Sequence, residues 1–239
     1  MRTFSRLARK SPSLPPVATL PTIVVPSRYA DIFEACRSSL AQFAPSAPKI
    51  LVRDGVGIAD PEGWKVIQGP PGDFCYARNV NLGIQACSGD ILLCNDDVKF
   101  TQSGTLEALA GIFALRPDIG ILSSSVDGVA NGVYAREAIQ ETKGYLSFVC
   151  VLIRRAVINK VGLLDENFVF YGGEDVDYCR RAQAGGFTLA TTSLVTVSHR
   201  RASSSYSREP DQEKKRIAAN KYYIEKWGQR TPGHYSDEV

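Results

Sequence analysis

Two acidic clusters stand where an α/β protein places its chemistry. Residues 91–97, ILLCNDD, read as a buried apolar strand that ends in two carboxylates, Asp96 and Asp97. Residues 171–177, YGGEDVD, set Glu174 and Asp175 behind a Gly-Gly turn at the start of a helical run. Ligands in open α/β sheets bind beyond the carboxyl ends of the strands, so carboxylates there face a ligand and not the core. One pair can hold a hard divalent cation, and the other can supply a base. An isolated Asp-Asp at a strand end also serves merely to cap a turn, and Asp175 has the position of a helix N-cap.

Alternating elements must position these clusters. TIVVP (22–26) is a β-branched run stopped by proline, and residues 30–43 follow as a helix with Ile32, Phe33, Cys36, Leu40 and Phe43 at helical spacing. KILVRDG (49–55) and WKVIQG (64–69) read as strands, residues 77–90 as a helix closed by Gly89, and ILLC (91–94) as the next strand. A helix over 105–117, a strand over 119–126, a glycine-containing loop over 127–144 and a strand-to-helix stretch over 145–162 come next. A helix over 175–186, a strand over 187–199 and an amphipathic helix over 217–228 complete the order. Such β-α-β alternation predicts a mostly parallel sheet with helices on both faces.

A chain of 239 residues, 44% hydrophobic and 22% charged, can bury one large core. Its net charge of +3 is too small to point to a nucleic-acid or membrane partner. Six cysteines without CxxC spacing, several inside apolar runs, predict reduced thiols and a cytoplasmic protein. The first residues lack the apolar core of a signal peptide, and no segment approaches 18 uncharged apolar residues. The expected organisation is a flexible basic tail over 1–20, one domain over 21–228 and a polar tail over 229–239 that carries a solvated His234.

With these pieces in order, the chain resembles the family 2 glycosyltransferases of GT-A fold, from about residue 21 to residue 228. IVVPSRY resembles the family's opening strand and turn, ILVRDG its second strand, and ARNVNLGIQACSGDILLCNDDV its helix-strand-DxD segment. VGLLDENFVFYGGEDVDYCRRAQAGGF resembles the acceptor-side segment, and its GGED is similar to the WGGED motif of β-1,4-galactosyltransferases. The resemblance implies a Rossmann-like nucleotide-sugar half joined to an acceptor half. It also implies an inverting, metal-dependent hexosyl transfer from a nucleotide sugar, with Mn²⁺ or Mg²⁺ as cofactor. By the same resemblance Asp97 is the direct metal ligand, His199 completes the metal shell from the far side, and Asp96 faces the ribose or the metal's water shell. Asn95 stands where the family often has its first aspartate.

For the acceptor hydroxyl, the resemblance makes Asp175 the base and Glu174 a sugar-hydroxyl partner, with the exchange of these roles left open. Asp54 matches the residue that pairs with the uracil imide, and Arg78 a basic residue near the base or diphosphate. Pro26, Ser27 and Arg28 form the nucleoside-contacting turn, although Arg28 stands where the family usually has an aromatic and Arg53 replaces a frequent aspartate. A UDP-sugar is the favoured donor, with dTDP or GDP open.

A surface glycan or lipid-linked glycan is the expected acceptor, which would bring the protein to the membrane periphery. A hydroxylated small molecule and a modified DNA base follow. The polar stretch 200–216 is either a solvated loop or a lid that closes through Arg200 or Arg201. A nucleotidyltransferase would carry a glycine-rich basic loop after the first strand, and PSRYADIF has no glycine. A non-catalytic nucleotide-sugar-binding module would have lost the metal or base residues, and both are present.

Overall fold

A computed structural model describes residues 19–55, 57–127, 137–169, 172–199, 208 and 210–231. The chain order begins β1 (Thr22–Ser27), α1 (Ala30–Phe43), β2 (Lys49–Arg53), β3 (Lys65–Gln68), α2 (Tyr76–Gln85) and β4 (Ile91–Cys94). It continues with β5 (Val98–Phe100), α3 (Thr105–Leu115), β6 (Ile119–Asp127), β7 (Gln140–Thr142), β8 (Cys150–Ile153) and α4 (Arg155–Val161). The last elements are α5 (Glu174–Ala184), β9 (Thr188–His199) and α6 (Gln212–Trp227).

The nine strands among the described residues join one sheet in the order β3-β2-β1-β4-β8-β6-β9-β5, with β7 also paired to β9. The half built from β3, β2, β1 and β4 is parallel throughout. The other half is mixed, because β8 runs antiparallel to both β4 and β6 while β6 and β9 are parallel. Strand alternation sends Ile23, Val25, Leu51, Leu92 and Leu152 to one face, where Phe33 and Leu40 of α1 and Leu109 and Ile112 of α3 cover them. Val24, Ile50, Val52, Leu93 and Val151 line the other face under Val80 and Ile84 of α2, Val157 of α4 and Tyr178 of α5. A third, smaller core joins Phe168, Val176, Ala219 and Tyr223, packing α6 against α5.

Several boundaries differ from the sequence reading, each for a local reason. The helix expected to run to Gly89 ends at Gln85, where the Ala86 N–H folds back onto Gly83 and Ile84. Arg155 then braces the turn that follows, donating to Cys87 O at 2.8 Å and Gly89 O at 2.9 Å. The expected 127–144 loop contains β7, which is ordered by pairing with β9. The last helix begins at Gln212, five residues before the expected start at Ile217, because QEKKR is made of strong helix formers that carry no apolar period. Residues 1–18 and 232–239, which make up most of the expected tails 1–20 and 229–239 and include His234, lie outside the described residues, as do Arg200 and Arg201.

Candidate active site

Strand ends create the first cluster. β1 and β4 are parallel neighbours, so Ser27 at the end of β1 meets the turn that follows β4. The Ser27 hydroxyl donates to Asp96 Oδ2 at 2.7 Å, with both residues buried. Asn95 turns to the helix side, where its Oδ1 lies 2.8 Å from the Tyr76 hydroxyl.

Asp97 is positioned by a strand that the sequence reading missed. β5 pairs antiparallel with the end of β9, setting Val98 opposite His199. Asp97 Oδ1 then lies 3.1 Å from His199 Nε2, and each residue is 8% exposed. Despite this approach, Asp97 Oδ1 accepts no hydrogen bond of acceptable geometry, and His199 Nδ1 also lacks a partner. A buried polar group left this way costs on the order of 1–3 kcal/mol, more when charged. Adjacent ligands of an octahedral ion with bonds of about 2.1 Å sit roughly 3 Å apart. Asp97 Oδ1 and His199 Nε2 therefore have the spacing of adjacent ligands of a hard divalent cation, which would satisfy the orphaned carboxylate oxygen. Among the described residues no group of three or more His, Cys, Asp or Glu converges as a metal cage. Exogenous oxygens and water would have to complete the shell, a common arrangement for Mg²⁺.

The residues expected on the nucleoside side are tied together by β1, β2 and α2. The Asp54 N–H donates to Ser27 O at 2.9 Å, fixing the end of β2 against the end of β1. Asn79 Nδ2 donates to Asp54 Oδ2 at 2.7 Å, and Arg78 Nη2 stands 3.6 Å from the same oxygen. Gly55 leaves room for the Arg28 backbone, since a Cβ there would lie 2.1 Å from Arg28 O. Pro26 pairs in register with Val52 inside this frame. Arg53 is engaged elsewhere, donating to Ile58 O at 2.7 Å and Asp60 Oδ1 at 2.6 Å, so it braces the following loop.

The second cluster opens α5. Gly173, at φ 91°, is the residue before the helix, and a Cβ on it would lie 2.8 Å from Phe168. Asp175 is therefore not the N-cap expected from its position; it lies in the first turn, and its Oδ1 accepts the Val176 N–H at 2.8 Å. Glu174 Oε2 accepts the Gly172 N–H at 2.6 Å. Burial, together with the neighbouring Asp175 charge, pushes the Glu174 carboxyl up to about 8. Asp175 is only half-buried.

Tyr76 links the two clusters. Its hydroxyl is within 2.8 Å of Asn95 Oδ1 and 2.9 Å of Phe148 O. Burial raises its pKa most, followed by the charges of Glu174 and Asp175, with Asp97 contributing as well. Both acidic clusters thus act on one buried phenol. Sequence reasoning missed Tyr76 and Asn79, although both flank Arg78 on α2. It also sought a guanidinium at Arg200 or Arg201 and overlooked Arg208, which grips Asp31 through two bonds of 2.8 and 2.6 Å and lies 5.2 Å from the Tyr29 ring centre.

No family model matches the chain. Among curated proteins it is 26% identical over 137 residues to the pre-mycofactocin glycosyltransferase of Mycobacterium tuberculosis, covering 50% of this chain and 28% of the relative. It is 22% identical over 159 residues to the uncharacterised protein y4gI of Sinorhizobium fredii, covering 55% of this chain and 17% of that protein. The match thus spans less than a third of either relative. Among solved structures, GalNAc-T7 with UDP, GalNAc and Mn²⁺ superposes with a TM-score of 0.65 at 12% identity, covering 88% of this chain and 48% of that one. Staphylococcus aureus TarS 1–349 in complex with UDP-GlcNAc gives 0.61 at 15% identity, covering 77% of this chain and 59% of that one. Sheet order, flanking helices and these superpositions show that the chain has the GT-A fold.

Proposed function

We propose that this protein is an inverting glycosyltransferase that moves a sugar from a nucleotide sugar, UDP-linked by preference, to a hydroxyl of a glycan or lipid-linked glycan. The observation that carries the reading is the convergence of Asp97 Oδ1 and His199 Nε2, 3.1 Å apart and without a mutual hydrogen bond, beyond the end of β4 in a GT-A sheet. The superposed structures that contain UDP or UDP-GlcNAc support the donor class, and the one with Mn²⁺ supports the cation.

Asp97 and His199 would hold Mn²⁺ or Mg²⁺, which supplies Lewis-acid stabilisation of the charge that develops on a leaving diphosphate. Asp96, oriented by Ser27, accepts a ribose hydroxyl. Asp54, oriented by Asn79, accepts from the imide of the base, and Arg78 adds positive charge beside it. Pro26 and Arg28 form the wall of the nucleoside site.

Asp175 takes the acceptor proton. It is the more exposed member of its pair, and the high pKa of Glu174 keeps that neighbour protonated near neutrality. A protonated Glu174 can both donate to and accept from a sugar hydroxyl, which suits an orienting role. Attack by the deprotonated oxygen on the anomeric carbon expels the diphosphate from the opposite face in one displacement, so configuration inverts.

The test is release of nucleoside diphosphate from a panel of UDP-, dTDP-, GDP- and ADP-sugars, with Mn²⁺ and with chelator. Metal-dependent release from a UDP-sugar is expected. Binding of these nucleotides with no turnover of any sugar nucleotide across a panel of hydroxylated acceptors would contradict the reading.

A further inference from the structure

The last turn of α6 grips the acidic turn from both flanks. Lys226 Nζ lies 2.6 Å from Asp165 Oδ2, which precedes the turn, and 2.7 Å from Asp177 Oδ1, one helical turn past Glu174. The Tyr222 hydroxyl adds a 2.8 Å bond to Asp165 Oδ2. Trp227 Nε1 donates to Asp177 Oδ1 at 3.0 Å, and Arg181 Nε donates to Asp177 Oδ2 at 2.9 Å.

Burial makes this arrangement unforgiving. Asp177 is fully buried, so each lost partner leaves carboxylate charge uncompensated where water cannot replace it. Burial also disfavours the Lys226 ammonium, but its bonds to Asp165 and Asp177 outweigh that cost and raise its pKa. Beneath the polar contacts, Phe168 and Val176 pack on Ala219 and Tyr223, while Phe168 also presses against Gly173. The backbone that carries Glu174 and Asp175 is therefore held by one helix at two carboxylates and one apolar plug. None of these contacts involves Ser27, Asp54, Asp96, Asp97 or His199.

We infer that Lys226, with Trp227 beside it, is a positioning residue for the Glu174–Asp175 turn, so that α6 sets the acidic pair for transfer and leaves nucleotide binding unaffected. This rests on the sugar-transfer reading for its kinetic consequence, but its structural consequence can be measured without any substrate.

The test uses the full chain with Lys226→Met, Lys226→Arg and Trp227→Phe. Amide hydrogen exchange over 172–177 is expected to accelerate about tenfold in Lys226→Met, with β1 and β4 unchanged and near wild-type rates in Lys226→Arg. With the sugar nucleotide that the wild type turns over best, kcat for diphosphate release should fall at least tenfold in Lys226→Met. The Kd for UDP with Mn²⁺ should stay within twofold, and Lys226→Arg should recover most of the turnover. Unchanged exchange over 172–177, or UDP affinity that falls in step with turnover, would overturn the inference. Should Lys226→Met fail to fold, Trp227→Phe decides by the same split, because it removes one hydrogen bond and keeps an aromatic ring under Arg180, whose guanidinium lies 4.2 Å from the Trp227 ring centre. A wild-type chain that releases diphosphate from no sugar nucleotide would sink the sugar-transfer reading, while the exchange data would still decide whether α6 holds the turn.

Discussion

His199 Nε2 stands 3.1 Å from Asp97 Oδ1, and the two atoms do not hydrogen-bond. Paired groups that only stabilise a fold align donor with acceptor. These two are brought together by the β5–β9 ladder, which sets Val98 opposite His199, yet their mutual geometry suits a third atom between them. The metal reading grows from that misalignment, because a cation taking His199 Nε2 as a second ligand would satisfy the buried Asp97 oxygen that otherwise lacks a partner.

Glu174 makes a signed prediction about stability. Its carboxyl titrates near 4.5 when unfolded and is raised to about 8 in the fold by burial and by Asp175. The native state therefore binds more protons than the unfolded state between those values. Its contribution is fully present below pH about 4.5 and is lost as pH rises toward about 8. In Glu174→Gln that decline should disappear, changing the pH slope of unfolding free energy by up to ~1.4 kcal/mol per pH unit. Urea titrations at pH 5 and 8 check this, and identical slopes for the two proteins would refute a raised Glu174.

The two carboxylates should separate in kinetics. A base acts mainly in the transition state, so Asp175→Asn should lower kcat by ~10²-fold or more with donor affinity little changed. Glu174→Gln should instead raise the acceptor KM and cost less in kcat. The opposite ranking would exchange their roles. NMR of the product anomer should show inversion, and retained configuration would exclude a single base-assisted displacement.

Base recognition supplies a third test. Asn79 Nδ2 orients Asp54 through a 2.7 Å bond inside a buried pair. Asp54→Ala should reduce affinity for UDP more than for ADP, and Asn79→Ala should reproduce part of that selective loss. Calorimetry showing equal losses for UDP, GDP and ADP would make Asp54 a structural residue.

The strand-end carboxylates were legible because an apolar run, ILLC, terminates abruptly in charge, although both carboxylates lie buried in the turn and not exposed on it. The α/β order was legible for the same reason, with periods of two and of about 3.6 alternating along the chain. β5 was not legible, since VKF is too short to display a period and owes its form to pairing with β9. The early end of α2 was hidden because the group that holds the turn after it, Arg155, comes from α4. Asp175 had the composition of an N-cap, but the positive φ of Gly173 places the cap there, two residues earlier. Arg53 and Arg208 are alike in charge, and only the fold distinguishes one bracing the loop after β2 from one held on Asp31.

The most direct measurement of the central claim is the electron paramagnetic resonance signal of free Mn²⁺, titrated with protein in the presence of UDP. The wild-type chain should remove the signal to a stoichiometry of about one ion per chain only when UDP is present, completing a metal shell with two protein ligands and nucleotide oxygens. Asp97→Asn should restore the free signal, and His199→Ala should weaken binding by tenfold or more while both variants keep the wild-type circular dichroism spectrum. Equal UDP-dependent Mn²⁺ binding in all three proteins would contradict the assignment of Asp97 and His199 and, with it, the mechanism built on them.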